Sequence, residues 1–336
     1  YTISEKTLII VFNPIFITGL VVIASLVATY FILKKEKEKQ DIFSFSFNPV
    51  IYSKIIKILA VFLVYFVGIF EINYQSNQRI DNSISAQSFS VLFHYVFSVI
   101  LILFILKKYT EFKRSALILS GVNIFVYIIL FCKLPYNEIL ENISRSLHTQ
   151  YAFYFHYIIF ACVIYFISLI SQEILKTTDI KILKSKYAIW VLAFCGVYAL
   201  SNELVVHGFY INRDSISTEN ILRNFSARDL KEIAEYEISY FAEQKLNEIK
   251  IQIIKIGFPI LWGGISFALL ILGIKKNWKQ IRIIALSLLG ITIVKLFAYD
   301  INNVSETGKI IAFILLGVLI LIISFVYQKI KKLVVD

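Results

Sequence analysis

The chain has 336 residues, of which 58% are hydrophobic, 15% aromatic and 17% charged, with a mean hydropathy of +0.74 and a formal net charge of +11. Soluble domains run near 45–50% apolar and about 25% charged, so an ordinary water-soluble globule and a disordered chain are both excluded. Basic charge on this scale first suggests nucleic acid, but in so apolar a chain it has a second origin in membrane orientation.

There is no methionine and the chain opens at Tyr1, as expected of a processed chain or a piece of a longer protein. The first apolar run follows Glu5 and Lys6 and is too long for the apolar region of a secretory signal. A membrane-spanning helix needs roughly 20 apolar residues to cross a hydrocarbon core of about 30 Å, because every backbone N–H and C=O must be satisfied within the segment. Runs of that kind occur at residues 8–33, 55–72, 89–106, 115–132, 151–170, 188–206, 251–274, 283–299 and 309–327. They predict an all-α, polytopic membrane bundle of about nine transmembrane helices. Spans one to six occupy residues 1–206, a long loop occupies 207–250, and spans seven to nine occupy 251–336.

The connecting segments alternate in charge. Residues 34–57, 107–114, 176–186, 275–282 and 329–332 carry most of the 34 Lys and Arg residues, and the intervening loops are mildly acidic. Short cytoplasmic loops are enriched in Lys and Arg, so the basic set is expected in the cytoplasm, the N-terminus outside and the C-terminus inside. The positive charge then reports orientation, and nucleic acid drops out as a partner. Membrane lipids and other envelope membrane proteins remain as expected partners, and a bacterial cytoplasmic membrane as the expected location.

Within the outer loop, Ser226-Ala-Arg-Asp229 is a capping-box pattern, in which the serine oxygen accepts an early helix N–H and Asp229 reaches back. Leu230, Ile233, Ala234, Ile238, Phe241 and Ala242 follow at helical spacing, with Lys231 and Glu235 four apart. They predict an amphipathic helix lying on the membrane or packing over the bundle, ahead of a seventh span that starts near Gly257–Pro259. Cys132, Cys162 and Cys195 lack the spacing of a zinc site or a disulfide framework. Glycine-rich phosphate loops and hydrolase motifs are absent from the sequence, and no cofactor or metal is expected.

Ionisable groups near mid-membrane cost roughly 2.5–3.5 kcal/mol on insertion scales, so each needs a reason. Lys295 sits about 7.5 Å below the outer end of span eight at the usual helical rise. It either snorkels to the headgroups or faces the bundle interior, with Asp300, Glu203 or Glu71 as partner. Glu71, His94, His156, Asn202, Glu203, His207, Asp300 and Lys309 share a similar depth near the outer end of their spans. Together with Lys295 they are the candidates for an outer-facing polar pocket. The leading expectation is a non-enzymatic transport-type or assembly subunit that handles a ligand or partner there. A membrane-embedded enzyme acting on a lipid-linked envelope substrate is the alternative, with His94, His156, Glu203 and His207 as acid–base groups. It requires a carboxylate and a histidine to converge. A scaffold without a pocket is the third reading.

Phe258-Pro-Ile-Leu-Trp-Gly-Gly264, Leu272-Gly-Ile-Lys-Lys276, the stretch from Arg282 to Gly290 and Lys295-Leu-Phe-Ala-Tyr-Asp300 form a distinctive series. It continues from Lys309 to Gly317 and through Ser324-Phe-Val-Tyr-Gln-Lys329, with Leu200-Ser-Asn-Glu-Leu204 and His207 upstream. This series resembles the C-terminal part of the bacterial predicted-membrane-protein family called domain of unknown function 2339. The resemblance implies a polytopic membrane protein, and carries no activity with it.

Overall fold

The computed structural model describes residues 8–35, 40–42, 45–175, 185–216, 219–220, 223 and 235–296, with scattered positions between 306 and 324. Ten α-helices follow in order among the described residues: α1 (Pro14–Lys35), α2 (Pro49–Arg79), α3 (Ser83–Lys108), α4 (Lys113–Val126) and α5 (Leu134–Ser144), then α6 (Tyr151–Leu175), α7 (Lys186–Ile211), α8 (Glu235–Gln252), α9 (Phe258–Lys275) and α10 (Lys279–Lys295). The sequence reading contained no strands. A small antiparallel hairpin, β1 (Gln40–Ile42) with β2 (Phe45–Phe47), lies between α1 and α2, where Ile, Phe and Ser alternate with a period of two.

Among the described residues, seven helices are long and apolar enough to cross a membrane, and they correspond to the first seven expected spans. The eighth is α10, a 17-residue helix, and the ninth falls largely outside the described residues. Several run past their apolar stretches, and two of them do so through a π-turn. The fourth stretches from Lys113 to Ser144, through a five-residue π-turn at Tyr127–Phe131 and on into α5. The seventh stretches from Glu237 to Lys275, through a second π-turn at Ile253–Gly257. Span seven therefore passes through Gly257–Pro259 and does not start there. The amphipathic helix expected ahead of span seven and span seven itself form one continuous rod from α8 onward, while the capping box at residues 226–229 lies outside the described residues.

Both π-turns lie just before a proline, Pro135 and Pro259, whose missing N–H and ring clash disturb the i→i−4 ladder. A side-chain donor reaches a backbone carbonyl beside each. Asn202 Nδ2 donates to Cys132 O at 2.9 Å, and Lys295 Nζ donates to Ile254 O at 2.9 Å. In a π-turn the residue that would donate to Ile254 O is Pro259, which has no N–H to give.

The bundle has two distinct ends. Lys34, Lys35, Lys107, Lys108, Lys275 and Lys279 gather at one, where the Lys113 ammonium meets Glu173 at 2.8 Å and Lys57 lies over the Tyr109 ring. The opposite end carries α5, α8 and the α2–α3 turn, and is called the α5 end below. The main core joins α3, α4, α6 and α7 through Tyr95, Ile102, Ile124, Val163 and Phe166. A second core sits at the α5 end, where Ala242 and Leu246 of α8 are buried against Ile143, Val205, Phe209 and Ile216. α8 is thus a packed element of the bundle. α1 buries none of its residues and packs along α2 at the periphery, as a lipid-facing helix can.

Candidate functional site

The sequence places four of its candidate residues on two adjoining helices. His156 lies on the second turn of α6; Asn202 and Glu203 share one turn of α7, and His207 lies on the next. Glu203 and His207, four apart, share a helix face, and antiparallel packing brings His156 against it. His156 Nε2 stands 3.2 Å from Glu203 Oε2, and His207 Nδ1 stands 3.9 Å from the same oxygen. The carboxylate's other oxygen accepts from the Tyr127 hydroxyl at 3.2 Å. His207 Nδ1 lies 2.7 Å from the Glu203 carbonyl, one turn back, and its Nε2 lies 2.9 Å from the Tyr157 hydroxyl. His156 Nδ1 rests on the Phe153 carbonyl. Phe153, itself stacked on Tyr210 with centroids 3.7 Å apart, closes one side of the two imidazoles.

His156 is 5% exposed, and Glu203 and His207 are half-buried. One atom from each of the three lies within 4.8 Å of the others, a set able to hold a metal ion. Beside His156 and Glu203, under Tyr127 and Pro135, is a cavity of about 10 Å³, roughly the space that one water requires.

Asn202 forms part of the wall between this small cavity and a larger one of about 480 Å³. The larger pocket lies between α5, α7, α8 and α9. Exposed Lys133, Glu243, Asn247 and Lys250 surround its opening, and Val197 and Trp262 line its interior. Trp262 Nε1 donates to Ser201 Oγ at 2.8 Å, tying α9 to α7. The α7 contact with the π-turn is close: a Cβ at Gly257 would come within 2.7 Å of Leu204, and one at Gly208 would overlap Ile253. A further cavity of about 410 Å³, at the lysine-rich end between α4 and α7, is lined mostly by hydrocarbon.

The remaining candidates go elsewhere. Glu71 fastens the start of α1: its carboxylate accepts from Asn13 Nδ2 at 2.9 Å, Val11 N at 3.0 Å and Gln75 Nε2 at 2.8 Å. His94 pairs through Nδ1 with the Tyr65 hydroxyl at 2.9 Å, across the α2–α3 contact. Lys295 is not among the residues lining the larger pocket: its Nζ donates to Ile254 O at 2.9 Å and lies 6.0 Å from the Phe258 ring centroid. Asp300 and Lys309 lie outside the described residues. The shared depth seen in the sequence thus resolves into separate clusters.

Sequence reading missed a carboxylate more deeply placed than any of these. Glu138 of α5 is 1% exposed and accepts from the backbone N–H of Ala152 at 2.8 Å and of Phe153 at 3.0 Å, with Ser85 Oγ donating to it as well. It therefore caps the start of α6, one turn before His156. The signal was present in Ile139, Leu140 and Ile143, which continue an apolar helical pattern past Pro135 into a segment read as a loop.

Comparison with known proteins agrees with the helical, apolar character of the chain. No curated protein and no solved structure matches it. The family model described as predicted membrane protein (DUF2339) matches residues 3–330, nearly the whole chain and well beyond the C-terminal stretch that first resembled it. The chain belongs to the DUF2339 family of predicted membrane proteins.

Proposed function

We propose that this protein binds an amphiphile with an anionic head in the pocket at the α5 end, and that this end faces away from the cytoplasm. The supporting observation is the pocket itself: about 480 Å³, opened by two lysines, Lys133 and Lys250, against one acid, Glu243, and walled by Val197, Tyr198 and Trp262. Ligand sites of this size are mostly apolar with a few placed polar groups, and this gradient from cation to hydrocarbon suits a charged head on an acyl chain. The lysines at the opposite end support the orientation, because short cytoplasmic loops are the ones enriched in Lys and Arg. A transport-type or assembly role in a bacterial cytoplasmic membrane follows, with lipids and other envelope proteins as partners. A membrane-embedded enzyme acting on a lipid-linked substrate is the second reading. Glu203 and His156, 3.2 Å apart, favour it.

The first reading is tested with Trp190→Phe and Trp278→Phe combined, which leaves Trp262 as the only tryptophan. In nanodiscs, brominated phosphatidylglycerol is expected to quench Trp262 more strongly than brominated phosphatidylcholine. Lys133→Ala with Lys250→Ala should remove that difference. Equal quenching by the two lipids in the parent protein would overturn the proposal.

A further inference from the structure

The geometry around Glu203 contains an electrostatic conflict. The Phe153 carbonyl can only accept, so the His156 ring in contact with it carries its proton on Nδ1. Nε2 then presents a lone pair. It faces Glu203 Oε2 at 3.2 Å, itself an acceptor, and this buried nitrogen makes no hydrogen bond. Two lone pairs brought this close in a buried site repel unless a cation lies between them. A proton is one such cation, but an Nε2–H in this ring position does not meet the carboxylate with hydrogen-bonding geometry.

We propose that His156, Glu203 and His207 form a three-ligand site for one divalent metal ion of the zinc class, with its fourth position open to the small cavity beside them. Zinc takes imidazole nitrogen at about 2.0–2.1 Å and carboxylate oxygen at about 2.0–2.2 Å. In a tetrahedron those lengths put neighbouring ligand atoms roughly 3.3–3.5 Å apart. The two separations from Glu203 Oε2, 3.2 Å to His156 and 3.9 Å to His207, bracket that range. To ligate, His207 releases Nδ1 from the Glu203 carbonyl and carries its proton on Nε2, where the Tyr157 oxygen is placed to accept it.

The surroundings meet the further demands of a metal site. Ligating histidines donate their other N–H to a carbonyl or similar acceptor, and ligating carboxylates are themselves hydrogen-bonded. The Phe153 carbonyl serves His156, and the Tyr127 hydroxyl holds the other Glu203 oxygen. Two histidines, one carboxylate and one open position is the donor set of a zinc ion that can still take a water or an oxygen ligand. The cavity of about 10 Å³ beside His156 and Glu203 has room for one water. This site is separate from the amphiphile pocket, and either can fail without the other.

The test uses the full chain, purified in detergent, stripped with a chelator and dialysed against micromolar Zn²⁺ or Co²⁺ without added lipid. One metal ion per chain is expected. His156→Ala and Glu203→Gln should each weaken binding by about 100-fold or more, and His94→Ala should leave it unchanged. X-ray absorption of the zinc-loaded parent protein decides the ligand set even where a variant misfolds. It should show a nitrogen and oxygen shell near 2.0–2.1 Å with imidazole scattering, and no sulfur near 2.3 Å. No stoichiometric metal, a sulfur ligand, or full binding in folded His156→Ala and Glu203→Gln would overturn the proposal.

Discussion

Replacing Glu138 with Gln should destabilise the whole α5 end. The first N–H groups of a helix have no partner inside it. In α6 those of Ala152 and Phe153 are satisfied by the Glu138 carboxylate, at 2.8 and 3.0 Å. Gln keeps one acceptor but turns its amide N–H₂ towards the second N–H, so one charge-assisted bond becomes a clash of donors. Losing such a bond costs about 1.5–3 kcal/mol, and losing the negative charge at a helix N-terminus costs up to about 2 kcal/mol in a partly buried setting. The total is about 2–4 kcal/mol. Ala leaves both N–H groups bare and should cost somewhat more. At about 2–4 °C per kcal/mol for a domain of 150–250 residues, Glu138→Gln should lower the midpoint of thermal unfolding by about 4–16 °C. Size-exclusion chromatography of detergent-solubilised protein after a heating series reads this directly. Glu141→Gln is the control. Glu141 accepts from Ser83 N at 2.9 Å and Ile84 N at 3.2 Å in a more exposed position, so its loss should shift the midpoint less. A midpoint for Glu138→Gln within 1 °C of the parent protein, or no lower than that of Glu141→Gln, would refute the reasoning.

Three other substitutions separate local roles. Lys295→Met should cost about 1–3 kcal/mol by leaving Ile254 O without its lysine donor, seen as a lowered unfolding midpoint; an unchanged midpoint would show that the carbonyl finds another donor. Gly208→Val should overpack α7 against Ile253 and cost about 1–3 kcal/mol. The same change at Gly196, where an added Cβ meets nothing within 4 Å, should be tolerated better. Glu71→Ala should speed amide hydrogen exchange at residues 11–16, since Val11 N and Asn13 Nδ2 both bond to its carboxylate. Exchange in α7 should be unaffected, because Glu71 takes no part in the His156–Glu203 cluster.

How much of this was legible in the sequence depended on whether the signal was local. Apolar runs of membrane length marked the first seven spans, because a helix in lipid has to satisfy its backbone within one segment. Glu203 and His207 could be paired by their spacing on one helix. Their meeting with His156 could not, since that needs the rotation of α6 against α7, which hydropathy does not encode. The extensions of spans four and seven were hidden for another reason. Pro135 and Pro259 normally punctuate a helix, whereas here a π-turn carries the helix up to each of them. Asn202 lines the pocket and also donates to the Cys132 carbonyl, whereas Lys295 serves the Ile254 carbonyl beside Pro259. Glu138 escaped because it lies beyond the first of the two breaks, in a stretch whose apolar periodicity was short.

The central claim is that the α5 end holds an anionic amphiphile, and native mass spectrometry of the full chain released from its own membranes tests it most directly. The account predicts one retained anionic amphiphile per chain, lost when Val197→Trp fills the pocket and diminished when Lys133 and Lys250 are replaced by Ala. A bare chain, or an adduct retained equally by Val197→Trp, would contradict it.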